Sequence, residues 1–464
     1  NPKPQTPNPK PQTPNPYFGV NFYKIALLLT NLYFQNNHKQ MPMKYLMPVS
    51  VIAAAKEEVE SESLVPWEYS QDGSHESGNI FHHPDPKIFM NRLDRVYMFL
   101  IGFTSLLSYS FVTAIMGTFK ESFPGRKFGF YSLLFSNISF FLAVGTTRLL
   151  RSISLSKQIV AMYLIQIAMM VIMAYYGLKK PNSAEGFWGI MISIFISGAA
   201  LWHLNLVLYR ASYYFEMRAI GYIQDGISLQ PIFACILDLC FNILKFSNEQ
   251  ITIYVLIYCS SMGIFSIILH LFTSRTDHFK YCESQNKRLK EKIRLREYWS
   301  AIKRIKLPFL RLTITTVIYY ISCPTMNYEL VPRSVDPVIW VDIINIVSSL
   351  MCIFSRYLDY FPLLRKTLSY SFIISWTHTV LVTFIFIVND PVLNHRTAWA
   401  MLVMMIFASL DYGYSCFVQY IKVHHERTDP LFCINYGSAI GCNLASFIST
   451  IISELRMHES RSSA

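Results

Sequence analysis

Eleven apolar runs, each long enough to cross a lipid bilayer, dominate this sequence of 464 residues. A transmembrane helix needs about 20 predominantly apolar residues. The runs lie at 96–118, 128–149, 158–178, 187–209, 219–244, 251–273, 307–330, 337–360, 367–389, 397–421 and 431–453. They do not alternate polar and apolar residues, and lipid leaves no partner for an unpaired backbone group. We therefore predict an all-α integral membrane protein with eleven transmembrane helices.

The composition excludes a set of water-facing domains. Hydrophobic residues make up 52% of the chain and charged residues only 15%, whereas soluble domains carry about 25% charged residues. The sequence also contains no P-loop, GxSxG, HExxH or Rossmann glycine motif. We expect no enzyme activity, no cofactor and no metal site.

The apolar runs and the connections between them predict six segments. They are a Pro-rich tail with a marginal apolar stretch that the mature protein need not contain (1–42), a disordered cytosolic arm (43–94), a bundle of six helices (95–273), a basic cytosolic loop (274–306), a bundle of five helices (307–455) and a short extracytosolic tail (456–464). The expected arrangement is six plus five helices.

The loop 274–306 sets the predicted orientation. It holds 11 Lys or Arg and 4 Asp or Glu, so it carries +7 of the net +12 of the chain. With the N-terminus inside, the inner connections hold 20 Lys or Arg and the outer ones hold 10, as the positive-inside rule requires. We predict a cytosolic N-terminus, an extracytosolic C-terminus and residence in the plasma membrane. We expect the loop to contact anionic lipid of the inner leaflet and no nucleic acid.

Charged residues inside the runs mark sites that need a partner or a cavity, since a charge in the membrane is costly. The candidates are Asp238, Arg356 and Asp411. Arg356 either pairs with Asp359 on its own helix or faces a central cavity, where its guanidinium donates hydrogen bonds to a polar substrate.

Uncharged polar residues in the runs have two interpretations. His203, Asn205, Gln230 and His378 either join neighbouring helices by hydrogen bonds or contact a ligand. The stripe of small residues Gly437, Gly441, Ala445 and Ser449 in the last run predicts close helix packing.

Several short strings recur in the order of a known family. The first run contains Leu106-Leu107-Ser108-Tyr109, similar to a family motif L-L-P-W. The fifth run contains Gln230 within a string similar to G-Q-G-L-A-G, and the eighth run ends Cys352-Ile-Phe-Ser-Arg356, where the family has D-W-L-G-R. The tenth run has Gly413-Tyr414, similar to S-N-G-Y.

Together these strings, over residues 95–455, resemble the equilibrative nucleoside transporter family. The resemblance implies a major-facilitator-like bundle that moves nucleosides or nucleobases across the membrane by facilitated alternating access. It implies a small-molecule substrate site formed by Leu106, Tyr109, Asn205, Gln230, Cys352 and Arg356. Tyr109 would stack on the base and Arg356 would contact the ribose, while Cys352 stands where the family has an aspartate.

Two other functions fit the same sequence. One is a divergent membrane protein that keeps the fold as a scaffold or surface antigen without transport. The other is a major-facilitator-type transporter of another small solute. The string Thr147-Arg148-Leu-Leu-Arg151 lacks the glycine and aspartate pattern of that second class.

Overall fold

A computed structural model of the chain describes residues 90–150, 153–212, 215, 218–288, 302–303, 305–322, 326–360, 362–388, 390–424 and 428–462. The predicted tail 1–42, residues 43–89 of the predicted arm and residues 289–301 of the basic loop lie outside this part. The regular elements of the described part are helices.

The helices occur along the chain in the same order as the predicted runs. They are α1 (Arg92–Ser105), α2 (Leu107–Ala114), α3 (Met116–Ser122), α4 (Phe128–Leu149), α5 (Leu155–Lys179), α6 (Ala184–Ser212), α7 (Arg218–Ile243), α8 (Asn248–Thr273), α9 (Asp277–Arg288), α10 (Lys306–Ser322), α11 (Pro337–Phe354), α12 (Pro362–Val388), α13 (Pro391–His424) and α14 (Thr428–Ser462). Short 3₁₀ helices occupy Asn327–Glu329 and Ser355–Tyr360.

Among the described residues, eight helices are long and apolar enough to cross a membrane, and α1 with α2 makes a ninth if this bent pair is one span. Two predicted runs correspond to shorter apolar stretches within the described residues. α10 has 17 residues, and the apolar part of α12 found by the same test covers Phe372–Val388. The count of eleven spans and the six-plus-five arrangement stay predictions.

The first predicted run, 96–118, is divided between three helices. Breaks at Leu106 and Ile115 separate α1, α2 and α3, and the axes of α1 and α2 differ by 48°. Gln166 of α5 lies at the first break. Its Oε1 accepts bonds of 3.2 Å from the backbone N–H and 3.1 Å from the hydroxyl of Ser108, and its Nε2 approaches the Ser105 carbonyl at 3.4 Å. A polar side chain inserted beside the backbone is an established cause of a kink.

The outer surface of the bundle is apolar, as a surface facing lipid must be. Only 28% of the apolar stretch of α8 that could cross the membrane is buried within the protein, and Ile257, Ile264 and Phe272 are each more than half exposed. By contrast, 72% of the corresponding apolar stretch of α6 is buried within the protein. Soluble proteins rarely expose apolar surface on this scale, so α8 lies at the periphery of a membrane bundle and α6 in its interior.

The helices before and after the basic loop meet mainly along two interfaces. We call α1–α8 the N-terminal helices and α10–α14 the C-terminal helices. α7 packs on α11, and α4 packs on α14. Within each group the extensive contacts include α5 with α6, α1 with α7, α10 with α14 and α12 with α13. The interior between the two interfaces is where the site described below lies.

Glycine allows α1 and α7 to approach closely. A Cβ at Gly226 would lie 2.2 Å from the Phe99 carbonyl oxygen and 2.4 Å from the Phe103 nitrogen. These neighbours are backbone atoms, which cannot swing aside as a flexible side chain can. The contact therefore fixes α7, and the residues it carries, against the bent first span.

We expect Gly226→Ala to destabilise the protein, because the added methyl group forces α1 and α7 apart. Overpacking of this kind costs about 1–3 kcal/mol, which should lower the melting temperature of the purified chain. Gly221→Ala on the same helix is the control, since nothing lies within 4 Å of its Cβ position. Equal melting temperatures for the two variants would contradict the close packing described here.

An ion pair links the two groups of helices at one end of the bundle. Lys120 Nζ of α3 lies 2.9 Å from Glu329 Oε1, and both side chains are about one-quarter exposed (29% and 27%). Burial raises the pKa of Glu329, but the Lys120 ammonium, with Lys127 and Arg456 nearby, outweighs burial and leaves this pKa below its usual value. The carboxylate is therefore ionised throughout the physiological range.

We expect Glu329→Gln to lower the melting temperature at pH 7 by the equivalent of about 1 kcal/mol or less, as for other partly exposed pairs. A carboxyl group whose pKa is lowered on folding stabilises the protein above its unfolded pKa, about 4.3, and loses this contribution as pH falls through the lower folded value. The deficit should therefore persist at pH 5.5 and shrink only below about pH 4. Glu185→Gln, in the exposed pair with Lys180, should leave the melting temperature unchanged. A deficit that vanishes by pH 5.5 would refute the lowered pKa.

Candidate substrate cavity

A cavity of about 230 Å³ lies between the N-terminal and C-terminal helices. The α2, α4, α6 and α7 helices form one side, and α10, α11, α13 and α14 form the other. Its lining is rich in aromatic rings, hydroxyl groups and amides. The lining includes Leu106, Tyr109, Asn137, Trp202, Asn205, Tyr209, Ser228, Pro231, Tyr319, Tyr320, Asn345, Ser348, Ser349, Cys352, Arg356, Tyr412 and Ser438.

The bend between α1 and α2 places two predicted site residues in this cavity. Leu106 lies at the break itself, and Tyr109 follows one turn later on α2. The bend exists because Gln166 satisfies the polar groups of Ser105 and Ser108 there. The position of Tyr109 thus depends on a glutamine from another helix.

Arg356 lines the cavity and at the same time joins α7 to the C-terminal helices. Its Nη1 donates a bond of 2.6 Å to Asp225 Oδ1, and its Nη2 donates one of 2.5 Å to Ser228 Oγ. The two charged side chains are only 7% and 16% exposed. The sequence offered two interpretations of Arg356, an ion pair with Asp359 or a position facing a cavity. In the structure Arg356 faces the cavity and also forms an ion pair, but its partner is Asp225. The side chain of Asp359 lies outside the described ones.

The guanidinium retains N–H groups for a ligand. Arginine carries five N–H donors, and Asp225 and Ser228 engage one nitrogen each. The Tyr357 hydroxyl donates to the second carboxylate oxygen, Asp225 Oδ2, over 3.3 Å. A negatively charged anchor therefore holds the guanidinium at the cavity wall in a fixed orientation.

Cys352 lies one turn before Arg356 and also lines the cavity. Its Sγ is 3.6 Å from the Ser409 carbonyl oxygen of α13. α13 approaches this turn closely at Gly413, where a Cβ would lie 2.9 Å from the Cys352 Cα and 2.4 Å from Ser355 Oγ. The carboxylate that pairs with Arg356 comes from Asp225 of α7.

The two predicted amide residues differ in position. Asn205 of α6 lines the cavity, and its Oδ1 has no hydrogen-bond partner among the described residues. Gln230 is 0% exposed and does not line the cavity. The cavity face of α7 is formed by Gln224, Ile227, Ser228 and Pro231, which follow the helical repeat, and Gln230 falls outside that stripe.

Two histidines that the sequence offered as ligand contacts bond to neighbouring helices. His203 Nε2 is 2.9 Å from Gln158 Oε1, and its Nδ1 is 2.9 Å from Thr147 Oγ1. His378 Nδ1 is 3.4 Å from Ser322 Oγ. Neither histidine lines the cavity, so the helix-packing interpretation describes both.

The C-terminal helices contribute a flat aromatic wall. The rings of Tyr319 and Tyr412 stack with centroids 4.3 Å apart at 5°, and Tyr320 meets Tyr412 edge-on at 5.6 Å. The Tyr319 hydroxyl is hydrogen-bonded to Ser348 Oγ. A planar ligand can therefore pack against this wall while its edges reach hydroxyl groups.

Sequence reasoning missed several of these residues. Asp225 sits in the fifth apolar run beside Gly226, and only its charge at membrane depth could have identified it. Tyr319 and Tyr412 carried no signal among the 29 tyrosines of the chain. In the sequence, Gln166 could not be distinguished from other polar residues within the apolar runs.

Solved structures share this fold at low sequence identity. A nucleoside transporter, NupG, matches with a TM-score of 0.54 and 12% identity over 79% of this chain and 92% of that chain. A single-substitution variant of NupG matches with 0.50 and 16% over 76% and 90%. A variant of the E. coli fucose:proton symporter FucP matches with 0.50 and 11% over 80% and 93%. No protein-family model and no curated protein matches the sequence. The chain therefore shares its overall fold with these solved transporters.

We expect Arg356→Ala to destabilise the protein strongly, since it leaves Asp225 buried without a cation. Removal of one partner of a buried pair costs about 3–5 kcal/mol. The double variant Asp225→Asn/Arg356→Ala should lose less than the sum of the single variants, by about 1.5 kcal/mol or more. Thermal unfolding of the four proteins measures this coupling.

The exposed pair of Asp277 and Lys280 provides the control cycle, because these side chains are 98% and 63% exposed. Its coupling should be close to zero. Additive effects of Asp225→Asn and Arg356→Ala would mean that the two residues do not form the described pair.

Proposed function

We propose that the chain is a membrane transporter that moves a small polar solute by alternating access. The observation that carries this proposal is a cavity, lined by aromatic rings, hydroxyl groups and amides, between two groups of helices that pack together at α7 with α11 and at α4 with α14. Such a cavity can open to either side when one group rocks against the other. Pockets for drug-sized ligands measure about 300–1,000 Å³, so a cavity of about 230 Å³ suits a small metabolite.

We propose nucleosides or nucleobases as the substrate class. The stacked rings of Tyr319 and Tyr412, with Tyr109 on α2, offer aromatic faces for a planar base. Arg356 and Asn205 offer a donor and an acceptor for hydroxyl groups or ring edges. The matches at Leu106, Leu107 and Arg356 support membership of the equilibrative nucleoside transporter family.

The topology belongs to the same proposal. The family arrangement places six helices before the basic loop and five after it, with the N-terminus in the cytosol, the C-terminus outside and the plasma membrane as the site of action. The start of the basic loop is the helix α9, anchored by the buried side chains Phe279 and Cys282. This anchor supports a loop held near the inner leaflet, where anionic lipid would contact its Lys and Arg residues.

A second candidate substrate class is a small sugar-like solute. Hydroxyl and amide groups, including Ser136, Ser228, Ser348 and Asn345, line much of the cavity, and the fucose:proton symporter shares the fold. Arginine and amide side chains recognise sugar hydroxyls as readily as a nucleoside ribose.

Uptake of labelled adenosine and hypoxanthine by cells that express the chain tests the proposal. We expect uptake above that of empty cells, reduced about fivefold to a hundredfold by Tyr109→Ala, since stacking of a base on an aromatic ring contributes about 1–3 kcal/mol. Tyr175→Ala is the matched control, because Tyr175 is 55% exposed on α5 and lies outside the cavity.

Ligand-dependent melting separates the alternatives. A transported solute should raise the melting temperature of the purified chain, so fucose and xylose are measured beside the nucleosides. A shift with sugars alone would favour the second substrate class. Uptake at the level of empty cells, together with no shift for any of these solutes, would sink the transport proposal and favour a scaffold.

A further inference from the structure

Two buried aspartates meet at the opposite end of the α7–α11 interface from Arg356. Asp238 of α7 is 0% exposed and Asp342 of α11 is 1% exposed. Their carboxyl groups lie within hydrogen-bonding reach of one another. Asn242 Nδ2 donates a bond of 2.8 Å to Asp238 Oδ2. In the described part of the chain, Asp238 Oδ1 and both oxygens of Asp342 have no hydrogen-bond partner.

The groups around this pair do not neutralise its charge. The Cys235 thiol of α7 lies beside both carboxyl groups, and Cys259 of α8 lies near that thiol. From the segment between α10 and α11, the Tyr328 hydroxyl donates to Asn345 Oδ1. Among the described residues, no Lys, Arg or His side chain acts on either carboxyl group. Nor does any group of three or more His, Cys, Asp and Glu suit a metal ion.

Binding of one proton would stabilise this pair of carboxyl groups. Two ionised carboxylates are acceptors only, and in contact away from water they repel each other. Protonation of one carboxylate removes that repulsion and makes the group a donor. A protonated Asp342 can then donate to Asp238 Oδ1, while Asn242 continues to bond the other oxygen of Asp238.

The pair lies close to the cavity. Asn345 follows Asp342 by one turn of α11 and lines the cavity, and its Nδ2 has no hydrogen-bond partner among the described residues. Asp225 and Asp238 are separated by about 20 Å along α7, at about 1.5 Å per residue. The cavity residues Ser228 and Pro231 of α7 lie between them. Substrate in the cavity would thus sit between an ion pair at one end and the carboxyl pair at the other.

We propose that Asp238 and Asp342 together bind one proton when α7 and α11 are in contact, and that this proton couples transport to the pH gradient. When the interface opens at this end, water hydrates both carboxylates and one proton binds from that side. The protonated pair lets the interface close around the substrate. Later the proton leaves through the cavity, past Asn345, to the other side. This coupling rests on the transport function proposed above.

Adenosine uptake under imposed pH gradients tests the coupling. With one proton per adenosine, a gradient of one pH unit supports up to about tenfold accumulation. We expect wild-type uptake to follow the gradient and a protonophore to abolish that dependence. Asp342→Asn should transport without any dependence on the gradient, in either direction. Asp277→Asn, at a side chain 98% exposed, should behave as wild type.

A measurement without transport keeps the proton site testable by itself. A proton that binds only the folded chain stabilises it, so the melting temperature of the purified full chain should fall as pH rises from 5.5 to 8.5. Asp342→Asn mimics the protonated group and should flatten that dependence. At pH 8.5 it should melt no lower than wild type, so a folding defect is not expected. Asp238→Asn provides a second variant.

The outcomes separate the two proposals. Absence of adenosine uptake in every variant, with the pH-dependent melting intact, would count against the substrate proposal and not the proton site. Uptake by wild type that ignores the pH gradient, or that Asp342→Asn leaves equally pH-dependent, would overturn the coupling. Replacement of sodium by choline should leave uptake unchanged, and a loss of uptake there would assign the site to a metal cation instead.

Discussion

The buried ion pair between Arg356 and Asp225 is the interaction on which the rest of the structure depends. A charge at membrane depth costs at least about 2.5 kcal/mol, so neither residue is tolerable there alone. Asp225 on α7 and Arg356 on the 3₁₀ helix that follows α11 therefore supply each other's counter-charge, and this contact holds α7 against the end of α11 with Arg356 facing the cavity. The same contact sets the orientation of the guanidinium and joins the two groups of helices.

Between the ion pair and the carboxyl pair, α7 is weakened by a proline. Pro231 has no N–H and so cannot bond the Ile227 carbonyl, one turn earlier. Both residues line the cavity. A proline inside a helix is an established cause of a kink.

The sequence located part of the candidate site because some of its signals are local. A charge or a motif string within an apolar run is visible in one dimension, which is how Arg356, Tyr109 and Cys352 were selected. Gln230 was selected in the same way but lies outside the cavity stripe of α7, because a motif match does not specify helix rotation. Asp225 and Asp342 were not singled out, since their importance comes from partners on another helix.

The sequence by itself determined the all-helical membrane fold, because run length and the cost of unpaired backbone groups in lipid leave few alternatives. It also indicated which charges need partners. Only the tertiary structure decided which residues pair with these charged side chains. Asp225 of α7 meets Arg356, just beyond α11, across 131 positions of sequence, and Asp238 of α7 meets Asp342 of α11. Such contacts depend on which faces of separate helices turn towards each other. The rotation of each helix about its axis cannot be read from an apolar run, because the faces towards lipid and towards protein are both apolar.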